Sequence, residues 1–167
     1  MKNKKGFTLV ELLAVIVILA LVMGIAVVSV GGVLSSSREK TFRETAASLI
    51  NGVRQQLYIE NAVPTSTTRY MYTSAILEKG GSNSPYGGTY KYTTSCSGTG
   101  KAAVGNSTTL CSNSSSLSCS KTQESFVEAT VDGSGNVTYK VCLADGTHYV
   151  FDNDTNLLNN TATISTT

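Results

Sequence analysis

The sequence holds a single histidine, no proline before Pro64, and no charged residue between Leu12 and Leu34. The lone His148 alternates with its neighbours in a strand-like run and belongs to no ligand cluster, so histidine-based metal binding and catalysis lack their parts. There is no Cys-x-x-Cys pair, no phosphate loop, no serine in a nucleophile elbow and no pair of carboxylates at a recognisable spacing. These absences argue against an enzyme, and nothing calls for a cofactor. The formal charge of +2 is local. Lys2, Lys4 and Lys5 open the chain, and from Arg38 onward ten Lys/Arg stand against ten Asp/Glu. The later part is therefore no basic nucleic-acid surface. Lys91, Lys101, Lys121 and Lys140 are too dispersed in sequence to form a strip.

What is present is an apolar run over residues 7–37, whose only charge is Glu11. A run of roughly 20 apolar residues matches the hydrocarbon thickness of a bilayer, and in lipid a single pass must be helical to satisfy its own backbone. The lysines precede the run, so the positive-inside rule leaves the N-terminus in the cytoplasm and the C-terminus outside. Glu11 is the anomaly. An unpaired carboxylate costs several kcal/mol inside a membrane, more than an anchor alone requires. A signal-peptidase site after the run, near Gly31-Gly32 or within 35–37, is the rival reading. It would leave a soluble secreted head and give Glu11 no task.

The context Lys4-Lys5-Gly6-Phe7-Thr8-Leu9-Val10-Glu11 resembles the class III leader and mature N-terminus of type IV pilins and of pseudopilins from type II secretion and competence systems. The resemblance covers the first fifth of the chain. It implies cleavage between Gly6 and Phe7 by prepilin peptidase and N-methylation of Phe7. It also implies pairing of Glu11 with the Phe7 amine of a neighbouring subunit. An amine and a carboxylate meeting in an apolar filament core offset each other's desolvation. The implied partners are identical or related pilin subunits and the pilus assembly machinery, with the cytoplasmic membrane before assembly and an extracellular filament after it. The implied fold is α+β, a long N-terminal helix laid on an antiparallel sheet. Many members carry a helix-bending proline in this helix, and this chain has none. The family readings are a type IV pilus subunit, serving adhesion, motility or DNA uptake, and a pseudopilin. From another class, a non-polymerising membrane-anchored binding module is the alternative.

The resulting division is 1–6 as cleaved leader, 7–37 as the transmembrane and filament-core half of the helix, 38–62 as its amphipathic half, and 63–167 as a β-rich head. Phe42, Ala46, Leu49, Ile50, Val53 and Leu57 recur at three- and four-residue steps, which puts them on one face. Glu39 with Arg43 and Lys40 with Glu44 are spaced for pairs on the other face. The helix is expected to end between Asn61 and Pro64. Gly24, Gly31-Gly32 and Asn51-Gly52 are its weak points, since glycine costs about 1 kcal/mol inside a helix.

Beyond Pro64, residues 65–68 read as loop, 70–77 as a short helix or strand, and 80–88 as turns. Residues 89–95 alternate as a strand with Tyr90 and Tyr92 on one face. The stretch 97–122 is Ser/Thr/Gly/Asn-rich and reads as a surface loop unable to bury much. Runs 125–131, 137–143 and 147–151, separated by Asp132-Gly-Ser-Gly-Asn136 and Ala144-Asp-Gly146, form a three-stranded meander. With 90–94 they give a roughly four-stranded sheet. Residues 161–167 read as a loose tail. Tyr70, Tyr72, Tyr86, Tyr90 and Tyr92 read as core and rim.

Cys96, Cys111, Cys119 and Cys142 form an even set in the exported part and read as two disulfides, with three pairings open. The family resemblance favours Cys142 with Cys96 or Cys119, tying the C-terminal region to the sheet. No metal site is read, although Asp152-x-Asp154-x-Asn156 resembles the opening of a calcium loop and some pseudopilins bind calcium in a late loop. The expected glycine at the sixth position and acid at the twelfth are missing. The sequons at Asn106, Asn113, Asn136, Asn153 and Asn159 are chance matches in a Ser/Thr-rich chain.

Overall fold

The computed structural model describes residues 6–72, 83–98 and 100–166, and the chain divides into two units, Met1–Ser37 and Arg38–Thr167. Helix α1 (Leu9–Ile59) supplies the first unit and opens the second. It is long and apolar enough to cross a membrane. In the first unit its described large apolar side chains, Leu9 to Ile25 and then Val30, Val33 and Leu34, stand exposed. The leader lysines lie outside the described residues.

In the second unit the expected stripe is the helix's contribution to the core: Phe42, Ala46, Leu49, Ile50, Val53 and Leu57 are all buried. Each large member contributes about 1.5–3 kcal/mol relative to exposure. The helix stops through a Schellman turn. Asn61 takes the left-handed conformation, at φ 48°. The Ala62 N–H donates to Leu57 O and the Asn61 N–H to Tyr58 O. Asparagine tolerates that conformation, and Ala62 packs back onto the core. Pro64 follows and prevents re-entry.

The sheet is antiparallel and seven-stranded, not four-stranded. Its strands are β1 (Thr68–Tyr72), β2 (Lys101–Ala103), β3 (Leu110–Asn113), β4 (Phe126–Val131), β5 (Val137–Ala144), β6 (Tyr149–Asn153) and β7 (Ile164–Ser165). They lie in the order β2-β3-β1-β4-β5-β6-β7. The meander β4–β6 forms as expected, with Val127 opposite Val141 and Cys142 opposite Phe151. A single turn of helix, α2 (Asp154–Leu158), joins β6 to β7.

Three expectations about the sheet change. Residues 89–95 form no strand, and β1 takes the place beside β4. Lys91 still donates to Ala144 O and accepts from the Ser125 N–H, but the Thr89 end makes only an isolated bridge with Asn83. The stretch 97–122 is not merely loop, because it contributes β2 and β3. Adjacent Leu110 and Cys111 are both fully buried, one on each face, which is what strand alternation does with a short apolar pair. The tail is not loose either. Ala162 is buried, its carbonyl accepts from Arg43 Nε at 2.9 Å, and Ile164 pairs with Val150. Of the expected element at 70–77, the part after Tyr72 lies outside the described residues, as do Gly80 to Ser82 of the turn region and Thr167.

The sheet is covered on both faces. Tyr70, Tyr72, Val127, Val141, Leu143 and Val150 join the helical stripe. Met71, Cys111, Phe126 and Cys142 form a second, smaller core, with Leu117 and the other two cysteines at its edge.

Candidate functional site: the N-terminal segment

Helix α1 begins with a reciprocal cap. The Thr8 N–H donates to Glu11 Oε2 at 2.8 Å, and Thr8 Oγ1 donates to the same oxygen at 2.9 Å. In return the Glu11 N–H reaches Thr8 Oγ1 at 3.3 Å. The first helical bond, Leu12 N–H to Thr8 O, follows at 3.3 Å. This is a capping box: the hydroxyl and the carboxylate each satisfy an N–H that the helix leaves without a partner. The sequence signal for it is Thr-x-x-Glu, and Thr8 is the site residue that a reading focused on charge overlooks. The helix N-terminus also favours a negative side chain in its first turn.

Gly6 and Phe7 precede the helix. Phe7 is 86% exposed, and a methyl group on Gly6 would meet nothing within 4 Å. The Gly6–Phe7 peptide lies four residues ahead of the carboxylate. From Leu9 to Ile25 the described side chains of this unit are exposed and, Glu11 apart, uncharged.

The cysteines pair as Cys96–Cys111 and Cys119–Cys142. Cys119 is one of the two partners expected for Cys142. Both bonds lie in the smaller core and tie the polar stretch 96–119 to β3 and β5.

The calcium-like residues are engaged with the protein. Asp154 Oδ2 meets Arg54 Nη2 at 2.8 Å, and that guanidinium also lies over the Tyr139 ring. Asp152 Oδ1 accepts from Asn156 Nδ2, and Asn153 caps α2 through the Asn156 N–H. Among the described residues no group of three or more metal-binding side chains occurs. Of the sequons, Asn113 is buried with its amide nitrogen toward Met71 Sδ, whereas Asn106 and Asn136 are exposed.

Ser84, Asp145 and His148 come together, but not as a hydrolytic triad. The Ser84 hydroxyl donates to Asp145, and His148 Nδ1 is hydrogen-bonded to Thr147 Oγ1 at 2.8 Å. The serine thus faces the carboxylate and not the imidazole, which is not the Ser-His-Asp order of a triad. Burial pushes the Asp145 carboxyl up, but hydrogen bonds from Ser84, His148 and Thr147 more than offset this and hold it below its ordinary value. His148 stacks on Tyr86, which meets Phe42 of α1 edge-on. The cluster fastens the 84–88 turn and the β5–β6 turn to the helix.

The model of the prokaryotic N-terminal methylation motif matches residues 1–27. The chain carries a class III prepilin-type signal. That signal is the one found on type IV pilins and pseudopilins, and the α+β arrangement behind it is pilin-like. No curated protein and no solved structure matches the chain significantly. The prepilin-type signal points to a structural subunit, to processing by prepilin peptidase and to assembly with other pilin subunits. With the apolar helix it fits a membrane-anchored precursor that is later assembled outside the cell.

Proposed function

We propose that the protein is a structural subunit of a type IV pilus. The precursor lies in the cytoplasmic membrane with its N-terminus inside. Prepilin peptidase cuts at Gly6/Phe7, and the Phe7 amine is methylated. Assembly then moves the exposed apolar half of α1 from lipid into a bundle of identical helices, so its hydrocarbon never meets water. Glu11 leaves its cap on Thr8 to pair with the Phe7 amine of a neighbour, which sets the register between subunits. The observation that carries the reading is one carboxylate on an otherwise uncharged, exposed helical surface, directly behind the cleavage pair.

The test is the mass and N-terminal sequence of the protein from its native host, together with Glu11→Ala. A mature chain starting at N-methyl-Phe7, with Glu11→Ala still cleaved and membrane-bound but unable to form filaments, supports the reading. Abundant normal filaments from Glu11→Ala refute the register mechanism. A chain starting beyond Gly31 refutes the prepilin route altogether, and an intact Met1 favours the membrane-anchored binding module. The pseudopilin reading shares the whole processing route. Filaments in sheared surface material separate the two, and the disulfide-braced, polar 96–119 stretch favours the surface fibre.

A further inference from the structure

We infer that the head makes a head-to-tail contact with the next copy, the acidic end of one head meeting the basic end of another. This rests on the filament reading above.

The unit Arg38–Thr167 is neutral in sum, but its charge is divided between two ends. Strand β5 runs between them. Its Val137 end shares a groove of about 340 Å³ with Tyr58, Asn61 and Val63, at the close of α1. Its Ala144 end lies beside Asp145, whose partner turn rests on Phe42 near the start of the unit's helix. Eight strand residues put these ends roughly 25 Å apart.

Most charges in the described head cancel in place. Arg54 pairs with Asp154, Arg69 with Glu128, Lys101 with Glu124, Arg43 with Glu39 and Lys40 with Glu44. Lys140 and Asp152 sit mid-strand on β5 and β6. What remains is segregated. Arg38, Lys91 and Lys121 form no ion pair among the described residues. Lys91 and Lys121 gather at the β5–β6 turn, where Lys91 lies against Gly146 and the Gly146 N–H donates to Lys121 O, and Arg38 stands one helical turn before Phe42, whose ring meets Tyr86. The one carboxylate at this end, Asp145, is buried in the turn and leaves the cations in excess. At the opposite end stand Glu60 and Asp132. Asp132 is fully exposed at the β4–β5 tip, with amides of Ser134 and Asn136 on its carboxylate.

The acidic end also carries exposed apolar side chains. Tyr58 is 85% and Val63 77% exposed, with Ile59 beside them. An apolar, aromatic centre with a charged rim is the anatomy of a protein interface. Its complement is not itself but the other end of the same head. An interface between two different patches on one molecule is heterologous, and repetition of such a contact gives an open helical filament unless the rotation closes into a ring.

The test uses sheared native filaments treated with a zero-length carbodiimide, which joins a carboxylate to an amine in contact. The two ends are too far apart within one chain, so a peptide linking Asp132 or Glu60 to Lys91 or Lys121 must come from two copies. Such links are the expected result. Asp132→Asn keeps the turn's acceptor and removes the charge. It is expected to lower filament yield by up to about fivefold, the range of one rim ion pair. Wild type falls to the same level near 1 M salt, where screening reaches about 3 Å. Filaments that yield no such link and are unaffected by Asp132→Asn overturn this contact and leave the filament reading standing. Absence of filaments from wild type overturns both. Filaments of unchanged yield from the double variant Lys91→Gln, Lys121→Gln show that the basic end makes no contact between copies, and the proposal is refuted.

Discussion

Gly52→Ala pits helix propensity against packing, and the structure says which prevails. Gly52 lies within α1 at its junction with the sheet. A β-carbon there would stand 2.6 Å from Tyr72 Oη, 3.4 Å from its Cζ and 3.7 Å from Cε2. Only the oxygen is in conflict; the ring atoms are at ordinary contact. On propensity alone the substitution stabilises the helix by about 1 kcal/mol. Against that, Tyr72 is buried on β1 and its ring has little room to retreat, and overpacking of this kind costs about 1–3 kcal/mol. The expected net effect is a loss of about 1 kcal/mol, the difference between these two ranges. The decisive comparison is the same change in a Tyr72→Phe background. With the oxygen gone the clash goes too, and Gly52→Ala should stabilise by about 1 kcal/mol. The assay is urea unfolding of the mature chain in detergent micelles, followed by tyrosine fluorescence, for all four members of the cycle. The reasoning is refuted if Gly52→Ala stabilises the wild type, or if its sign is the same in both backgrounds.

Replacing Cys119 and Cys142 together by serine opens a loop with a sequence separation of 23. The chain-entropy estimate is a loss of about 3 kcal/mol, read as a lower urea midpoint, and an unchanged midpoint contradicts it. Thr8→Val removes the hydroxyl partner of Glu11 and should cost about 1 kcal/mol of capping, seen as several-fold faster amide exchange confined to the first turn. Asp145→Asn tests linkage. Because the folded carboxyl titrates below its ordinary 3.8, its stabilisation is complete above that value and drains away as pH falls through the folded value. Asp145→Asn should therefore be the less stable protein at pH 7, with the gap narrowing below about pH 4; a gap that does not change with pH counts against the assignment.

The parts that were legible in the sequence carry their information locally. The Phe42-to-Leu57 stripe follows from a 3.6-residue period, and β4 to β6 from apolar runs separated by Asp-Gly turns. The N-terminal motif is linear, so Gly6, Phe7 and Glu11 could be named without a fold. The rest depends on long-range pairing. Thr68–Tyr72 is a strand because β3 flanks one side of it and β4 the other, neither of which its own residues announce. Tyr90 and Tyr92 alternate like a strand, yet Lys91 only bridges to Ala144 and Ser125. Leu110 and Cys111 are too short a signal amid so many serines and threonines. Thr8 was visible in a Thr-x-x-Glu pattern but overshadowed by the charge of its partner.

The order of the disulfides along the chain bears on biogenesis. Cys96 bonds with Cys111 and Cys119 with Cys142, so each cysteine joins its immediate neighbour in sequence and the two loops neither interlace nor nest. For a head that emerges from its helix-proximal side into an oxidising compartment, Cys96 finds its partner before the second pair has emerged. An oxidant that joins cysteines in their order of arrival makes the native pairing at once, without an isomerase to correct it. The topology therefore removes a reshuffling step from the path between translocation and a subunit ready to assemble.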